Sequence, residues 1–147
     1  MLVDYPTAEA VRQGKARYCR FVDTKDWAGL AALFHPEAHF EFYDVDGAIE
    51  YRFEALEAWL RGVADFLAGA RSSHRVSNSE LVLRDPDTVE AIWAMSDRIA
   101  FPRVGAEPAR WLKGYGHYHE VWVRHGQSWV IRELVLRRTL FDLESAT

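Results

Sequence analysis

At 147 residues, 49% of them hydrophobic, the chain has the length of a single domain spanning 1–147, with enough apolar side chain to bury a core. Its formal net charge of −4, with dispersed basic residues, gives nucleic acid or an anionic membrane no electrostatic reason to bind, so neither is expected as a partner. Twenty aromatic residues, six Trp, six Tyr and eight Phe, are a heavy load for this length and point to a lined pocket or a covered interface.

The start, Met1-Leu2-Val3-Asp4-Tyr5-Pro6, carries an acid and a proline before any apolar run develops, so no export signal is expected. Nowhere do 18 apolar residues follow one another, so no membrane span is expected either. Thr7 can cap a helix running to about Val22, with Ala8, Val11, Tyr18, Cys19 and Val22 at mixed three- and four-residue steps and Gly14 as a weak point. Cys19 is the only cysteine and has no intrachain partner, which fits a reducing cytoplasm.

A short second helix fits Asp26 to Phe34 and is stopped by Pro36. The stretch His39 to Tyr43 alternates like a strand, and Gly47 marks the turn after it. From Phe53 to Leu67, the residues Leu56, Trp59, Leu60, Val63, Phe66 and Leu67 recur at helical spacing, with Gly69 following the end. Long strands then cover about 72–84, 88–101, 110–124 and 128–140. The turns Arg84-Asp85-Pro86-Asp87 and His125-Gly126-Gln127-Ser128 make hairpins of the first and last pairs, and Pro102 to Pro108 forms a longer loop. Helices gathered on one face of a curved antiparallel sheet give an α+β fold with a natural cavity between the layers.

Two residues in this frame suggest chemistry. Asp23 stands where the first helix ends, and His74 lies on the first long strand 51 residues later, so only tertiary folding could join them. Paired, the carboxylate would hold the imidazole in one tautomer and make it a useful proton acceptor near neutral pH. Taken singly, Asp23 could cap the helix beginning near Asp26, and His74 could be a half-exposed strand residue.

The series Tyr18, Asp23-Thr24-Lys25-Asp26-Trp27, Leu33-Phe34, His74-x-Val76-x-Asn78, Gly114-x-Gly116-x-Tyr118 and Trp129-x-Ile131 resembles the SnoaL-like branch of the nuclear transport factor 2-like superfamily across nearly the whole chain. That resemblance implies a cone-shaped barrel in which N-terminal helices close a strongly curved antiparallel sheet around a deep apolar pocket. Among the enzymes of the superfamily, the chain is most similar to scytalone dehydratase, bile acid 7α-dehydratase and hexachlorocyclohexane dehydrochlorinase. These imply an aspartate at Asp23 supporting a histidine at His74, with Tyr18 polarising a carbonyl. The chain departs from the dehydratases at Phe42, where they carry a tyrosine unless Tyr43 replaces it from a shifted register. It departs again at Ile99, Tyr118 and Glu120, where scytalone dehydratase has histidine, serine and asparagine, which makes scytalone a poor substrate candidate.

Strand alternation puts Trp93, Met95 and Asp97 on one face, and Gly116, Tyr118, Glu120 and Trp122 on one face of the next strand; the resemblance places both sets inside. Phe42, Trp93, Met95, Asp97, Tyr118 and Glu120 are therefore the expected substrate-binding residues, beside Asp23, His74 and Tyr18 as the catalytic ones. Trp93, Met95 and Trp122 read equally well as plain core, whereas an inward acid such as Asp97 or Glu120 must be paired, protonated or wet. His117-x-His119 falls on the opposite face without an evident third ligand, so no metal site is expected. The arginines and acids between 132 and 144 read as a solvated face or a tail contact.

The expected protein is a small lyase or isomerase without a cofactor, acting on a hydrophobic cyclic carbonyl or hydroxyl compound. The resemblance implies a homo-oligomer, dimer or trimer, through the outer sheet face. The alternatives are a non-catalytic binding module and a structural subunit, since dioxygenase β subunits share the fold.

Overall fold

The computed structural model describes residues 1–145. Helix α1 spans Tyr5–Thr24, and its cap is Asp4 rather than Thr7: the Asp4 carboxylate accepts the Thr7 backbone N–H at 2.8 Å. Pro6 fits the first turn because the N–H it lacks would have had no helical partner there. The helix stops at Lys25, held in the left-handed conformation with φ 58°, whose ammonium donates to the Ala70 carbonyl at 2.7 Å. Helix α2 is only Trp27–Ala31, capped by Asp26 through the Gly29 N–H at 2.9 Å.

Strand β1 starts where the sequence suggested the end of that helix and runs Phe34–Tyr43. Pro36 is tolerated inside it because the pairing with the last strand is irregular between Phe34 and His39. A turn at Gly47, φ 84°, leads into β2, Ile49–Phe53, an edge strand that was not expected. The alternation Ile49, Tyr51, Phe53 was its signal, masked by exposure of nearly all its side chains. Helix α3, Leu56–Phe66, is accordingly shorter than the 53–67 expected.

Strands β3 Arg71–Asp85, β4 Thr88–Phe101, β5 Arg110–His125 and β6 Ser128–Ser145 lie close to their expected bounds, β6 extending furthest beyond. They pair antiparallel in sequence order, through the two expected hairpins and the longer connection between β4 and β5. The sheet order is β2-β1-β6-β5-β4-β3. The fold is α+β as expected, with N-terminal helices against a strongly curved, mostly antiparallel sheet. Within it β1 joins β6 in parallel, with Phe40 beside Leu134, and the edges, β2 and β3, do not meet, so the cone is left unclosed.

Bulges at Ser77/Glu80, Tyr115/Gly116 and Val121/Trp122 bend the long strands. Asn78 accommodates the first with φ 51°. The concave face carries a core of Phe40, Val89, Trp122, Ile131 and Leu134, closed by Val11 and Val22 of α1 and Leu30 of α2. Gly14 belongs to this closure: a Cβ there would come within 2.8 Å of the Trp122 ring, so the weak point of the helix lets α1 approach the sheet. Trp59 of α3 stacks on Phe40 of β1 at 4.3 Å between centroids, setting that helix over one end of the concave face. No described helix is long and apolar enough to cross a membrane.

Candidate active site

The last turn of α1 lies against the start of β3, and this contact brings Asp23 to His74. Asp23 Oδ1 is 2.7 Å from His74 Nδ1 and accepts the Ser72 hydroxyl at 2.8 Å, while Oδ2 accepts the His74 backbone N–H at 2.8 Å. The carboxylate therefore grips both the ring and the backbone of its partner, and helix capping falls to Asp26 instead. An ionised carboxylate only accepts, so the ring proton of a neutral His74 sits on Nδ1 and Nε2 is left with a free lone pair.

Nε2 lies on the cavity side, 3.9 Å from Asp97 Oδ2. Asp97 is 4% exposed and is held by Arg138 in a two-point pair, Nη1 to Oδ1 at 2.8 Å and Nη2 to Oδ2 at 2.9 Å. Arg138 corrects the sequence reading of 132–144 as a solvated face. Arg138 follows the buried Leu134 and Leu136 at alternate positions of β6, so strand alternation carries it inward, opposite Gly116; the bulge beyond it, where Tyr115 pairs with Leu140, instead turns Phe141 and Leu143 to the cavity. Burial would weaken its charged state, but the hydrogen bonds and charge of Asp97 outweigh that and raise its pKa.

The pair exists because position 114 has no side chain. A Cβ on Gly114 would occupy the space of Arg138 Nη1 and Asp97 Oδ1. Gly114→Ala should therefore cost about 1–3 kcal/mol, as overpacking does, and displace the Asp97 carboxylate. Urea denaturation measures the cost; a variant as stable as the parent would show that the pair has room to shift.

Tyr18 of α1 and Tyr118 of β5 stand edge to face, 5.8 Å between centroids, and both line the cavity. Beneath them Lys15, with no exposure, places its ammonium 3.7 Å from the centre of the Tyr18 ring and 3.6 Å from that of Tyr118. Its partner is Glu120, at 2.5 Å, which also accepts the indole N–H of Trp93 at 2.7 Å and of Trp122 at 3.0 Å. Trp93, Met95 and Glu120 thus face inward but are not cavity walls: Glu120 belongs to the buried ion pair, Trp93 donates to it and Met95 lies in the core, a correction to their expected substrate-binding role. Lys15 was missed because one lysine in an amphipathic helix reads as solvated, although Glu120 signalled the need for a buried cation.

Burial pushes the phenols of Tyr18 and Tyr118 far above the usual tyrosine range, so both stay protonated donors at any physiological pH. An unfolded tyrosine loses its proton near pH 10 whereas the folded pair keeps it, so stability present below about pH 10 should be lost as pH rises past it. Melting temperatures at pH 9 and 11 test this, with Tyr118→Phe losing less than the parent. Burial also raises the Cys19 thiol to about 11, which makes it a poor nucleophile.

The cavity itself measures about 530 Å³. Its polar floor is Tyr18, His74, Asp97, Tyr118 and Arg138; its apolar walls include Phe42, Phe53, Trp59, Phe66 and Leu136. Both Phe42 and Tyr43 line it, because the β1–β2 register shifts between them, and the Tyr43 hydroxyl donates to Glu41. Arg110, Tyr51 and Phe141, not anticipated from the sequence, stand exposed where it opens. His117 and His119 lie on the outer face, and no three His, Cys, Asp or Glu side chains group to hold a metal among the described residues.

The family model for the SnoaL-like domain matches residues 5–135. The chain belongs to the SnoaL-like family. A probable cyclase of Gibberella zeae is 28% identical over 151 residues, covering 99% of this chain and 99% of that one. Among solved structures, a scytalone dehydratase-like protein of Novosphingobium aromaticivorans superposes with a TM-score of 0.76 at 17% identity, over 96% of this chain and 88% of that one. The β subunit of the benzoate 1,2-dioxygenase of Burkholderia mallei does so with a TM-score of 0.72 at 14% identity, over 94% and 92%. At such identities the structures share the fold, and a SnoaL-like fold hosts both kinds of protein, so function has to be argued from the site.

Proposed function

We propose that this SnoaL-like protein is a small cofactor-independent lyase or isomerase that removes a proton beside the carbonyl of a hydrophobic cyclic substrate. The observation that supports the reading is the 2.7 Å contact of Asp23 with His74 Nδ1, which leaves Nε2 as the acceptor on the polar floor of the cavity. His74 takes the proton from the carbon next to the carbonyl, and the C–H electron pair moves to form an enolate. Tyr18 or Tyr118, protonated and nearly dry, donates to the developing oxyanion. Asp23 stabilises the imidazolium, which returns its proton either to a departing hydroxyl as water or to another carbon of the ring. Phe42, with the other apolar walls, selects for flat hydrophobic rings by area.

The description of the Gibberella relative as a probable cyclase favours a second use of the same first step: the enolate could attack a carbonyl within the substrate and close a ring. Cyclic β-hydroxyketones incubated with the protein in D2O test the reading. Deuterium should enter at the carbon beside the carbonyl, with growth of conjugated-enone absorbance. Ligands that bind without exchange or turnover would leave a binding module in its place.

A reducing cytoplasm remains the compartment we favour, because the buried Cys19 has no disulfide partner. Self-association would use the outer face of β5 and β6, where exposed Tyr115 and Leu140 are cross-strand partners. Sedimentation of Leu140→Lys should show a smaller species than the parent.

A further inference from the structure

The outer face of β3, β4 and β5 concentrates positive charge in a way the proposed chemistry does not use. The register sets Arg98 directly opposite Lys113 on one side and Ser73 on the other, with Arg71 and Arg75 flanking Ser73 on the same face. Like charges directly opposed across strands are destabilising. Lys113 is relieved by Glu144, 3.5 Å away, and stands opposite Asp142. Arg71, Arg75 and Arg98 make no such pair among the described residues, where the arginine ion pairs belong to Arg52, Arg84, Arg124 and Arg138. In a chain of net charge −4, these three neighbouring guanidinium groups form a local positive patch.

With Ser73, Ala100 and Trp111, these arginines border an open groove of about 600 Å³ on the outer face of the sheet. Ala100 keeps its floor low, and Trp111, 39% exposed and with the Arg98 guanidinium carbon 5.4 Å from its ring centre, supplies an apolar wall.

We propose that this groove is an anion site, separate from the cavity, for a small molecule bearing a phosphate group. Planar guanidinium forks match the oxygens of a tetrahedral oxyanion, and a dianion offsets most of the charge gathered there. The groove is larger than a phosphate alone, so an attached ring lies along Ala100 and Trp111. The site sits on the reverse of the β3 segment that carries His74, and it does not depend on the reaction proposed for the cavity.

Isothermal titration at low salt with inorganic phosphate and with phenyl phosphate tests it. The unmodified protein should bind both with one site each, phenyl phosphate several-fold more tightly, and added NaCl should weaken both. Arg71→Ser/Arg98→Ser should lose at least tenfold in affinity, Trp111→Ala should lose only the advantage of phenyl phosphate, and Arg132→Ser, an exposed control on β6, should change neither. Removing opposed charge should leave the double variant melting no lower than the parent, which confirms that it is folded. No saturable binding by the parent protein, or an equal loss in Arg132→Ser, overturns the proposal.

Discussion

His74→Ala should lower the rate of deuterium exchange and enone formation by about 10²–10⁴-fold, the range that a positioned general base supplies. The protein should remain folded, because Asp23 keeps its contacts with the His74 backbone N–H and the Ser72 hydroxyl, neither of which needs the imidazole. Asp23→Asn should lose activity on a comparable scale for a different reason: an amide that offers its NH2 group to Nδ1 selects the other tautomer and puts a proton on Nε2. Asp97→Asn provides the contrast. It unpairs Arg138 without touching the Asp23 hydrogen bonds, so it should disturb binding and stability more than tautomer choice. A His74→Ala protein with unchanged rates would remove His74 from the chemistry.

Lys15→Met should destabilise the protein by about 3–5 kcal/mol, the cost of stranding one partner of a buried ion pair. The stranded partner would be Glu120, whose carboxylate is fully buried and would keep only the two indole N–H donors of Trp93 and Trp122. The double variant Lys15→Met/Glu120→Gln should recover a large part of that loss, because a neutral amide oxygen can still accept from the indoles and no lone charge remains. Urea denaturation of the parent, the single and the double variant gives the comparison. A single variant within 1 kcal/mol of the parent would mean that water reaches Glu120 from the cavity above it.

The long strands were legible in the sequence through alternation bounded by Asp-Pro and Gly turns, whereas the Asp23–His74 pair was legible only through the order of the whole series that carries the resemblance, since each residue alone reads as a cap or a strand residue. Glu120 and Asp97 announced themselves as acids on inward faces, but their partners did not. Lys15 looks like any helical lysine, and Arg138, although in alternation with the inward Leu134 and Leu136, stands in a stretch of arginines and acids that reads as solvated. Gly114 was visible as part of a Gly-x-Gly pattern, yet its reason, space for an ion pair from two other strands, needed the register of β4 through β6. The parallel pairing of β1 with β6 was hidden for the same reason, because the two strands are separated by most of the chain.

The tautomer of His74 tests the central claim most directly, and it needs no substrate. Long-range proton–nitrogen NMR correlation on uniformly ¹⁵N-labelled protein, assigned by difference against His74→Ala, reports which ring nitrogen carries the proton. The expected result at a pH where the ring is neutral is a protonated Nδ1 and an unprotonated Nε2, with the proton resonance of Nδ1 shifted downfield by the Asp23 hydrogen bond. A proton on Nε2 in the neutral ring would leave no acceptor facing the cavity and would contradict the assignment of His74 as the general base.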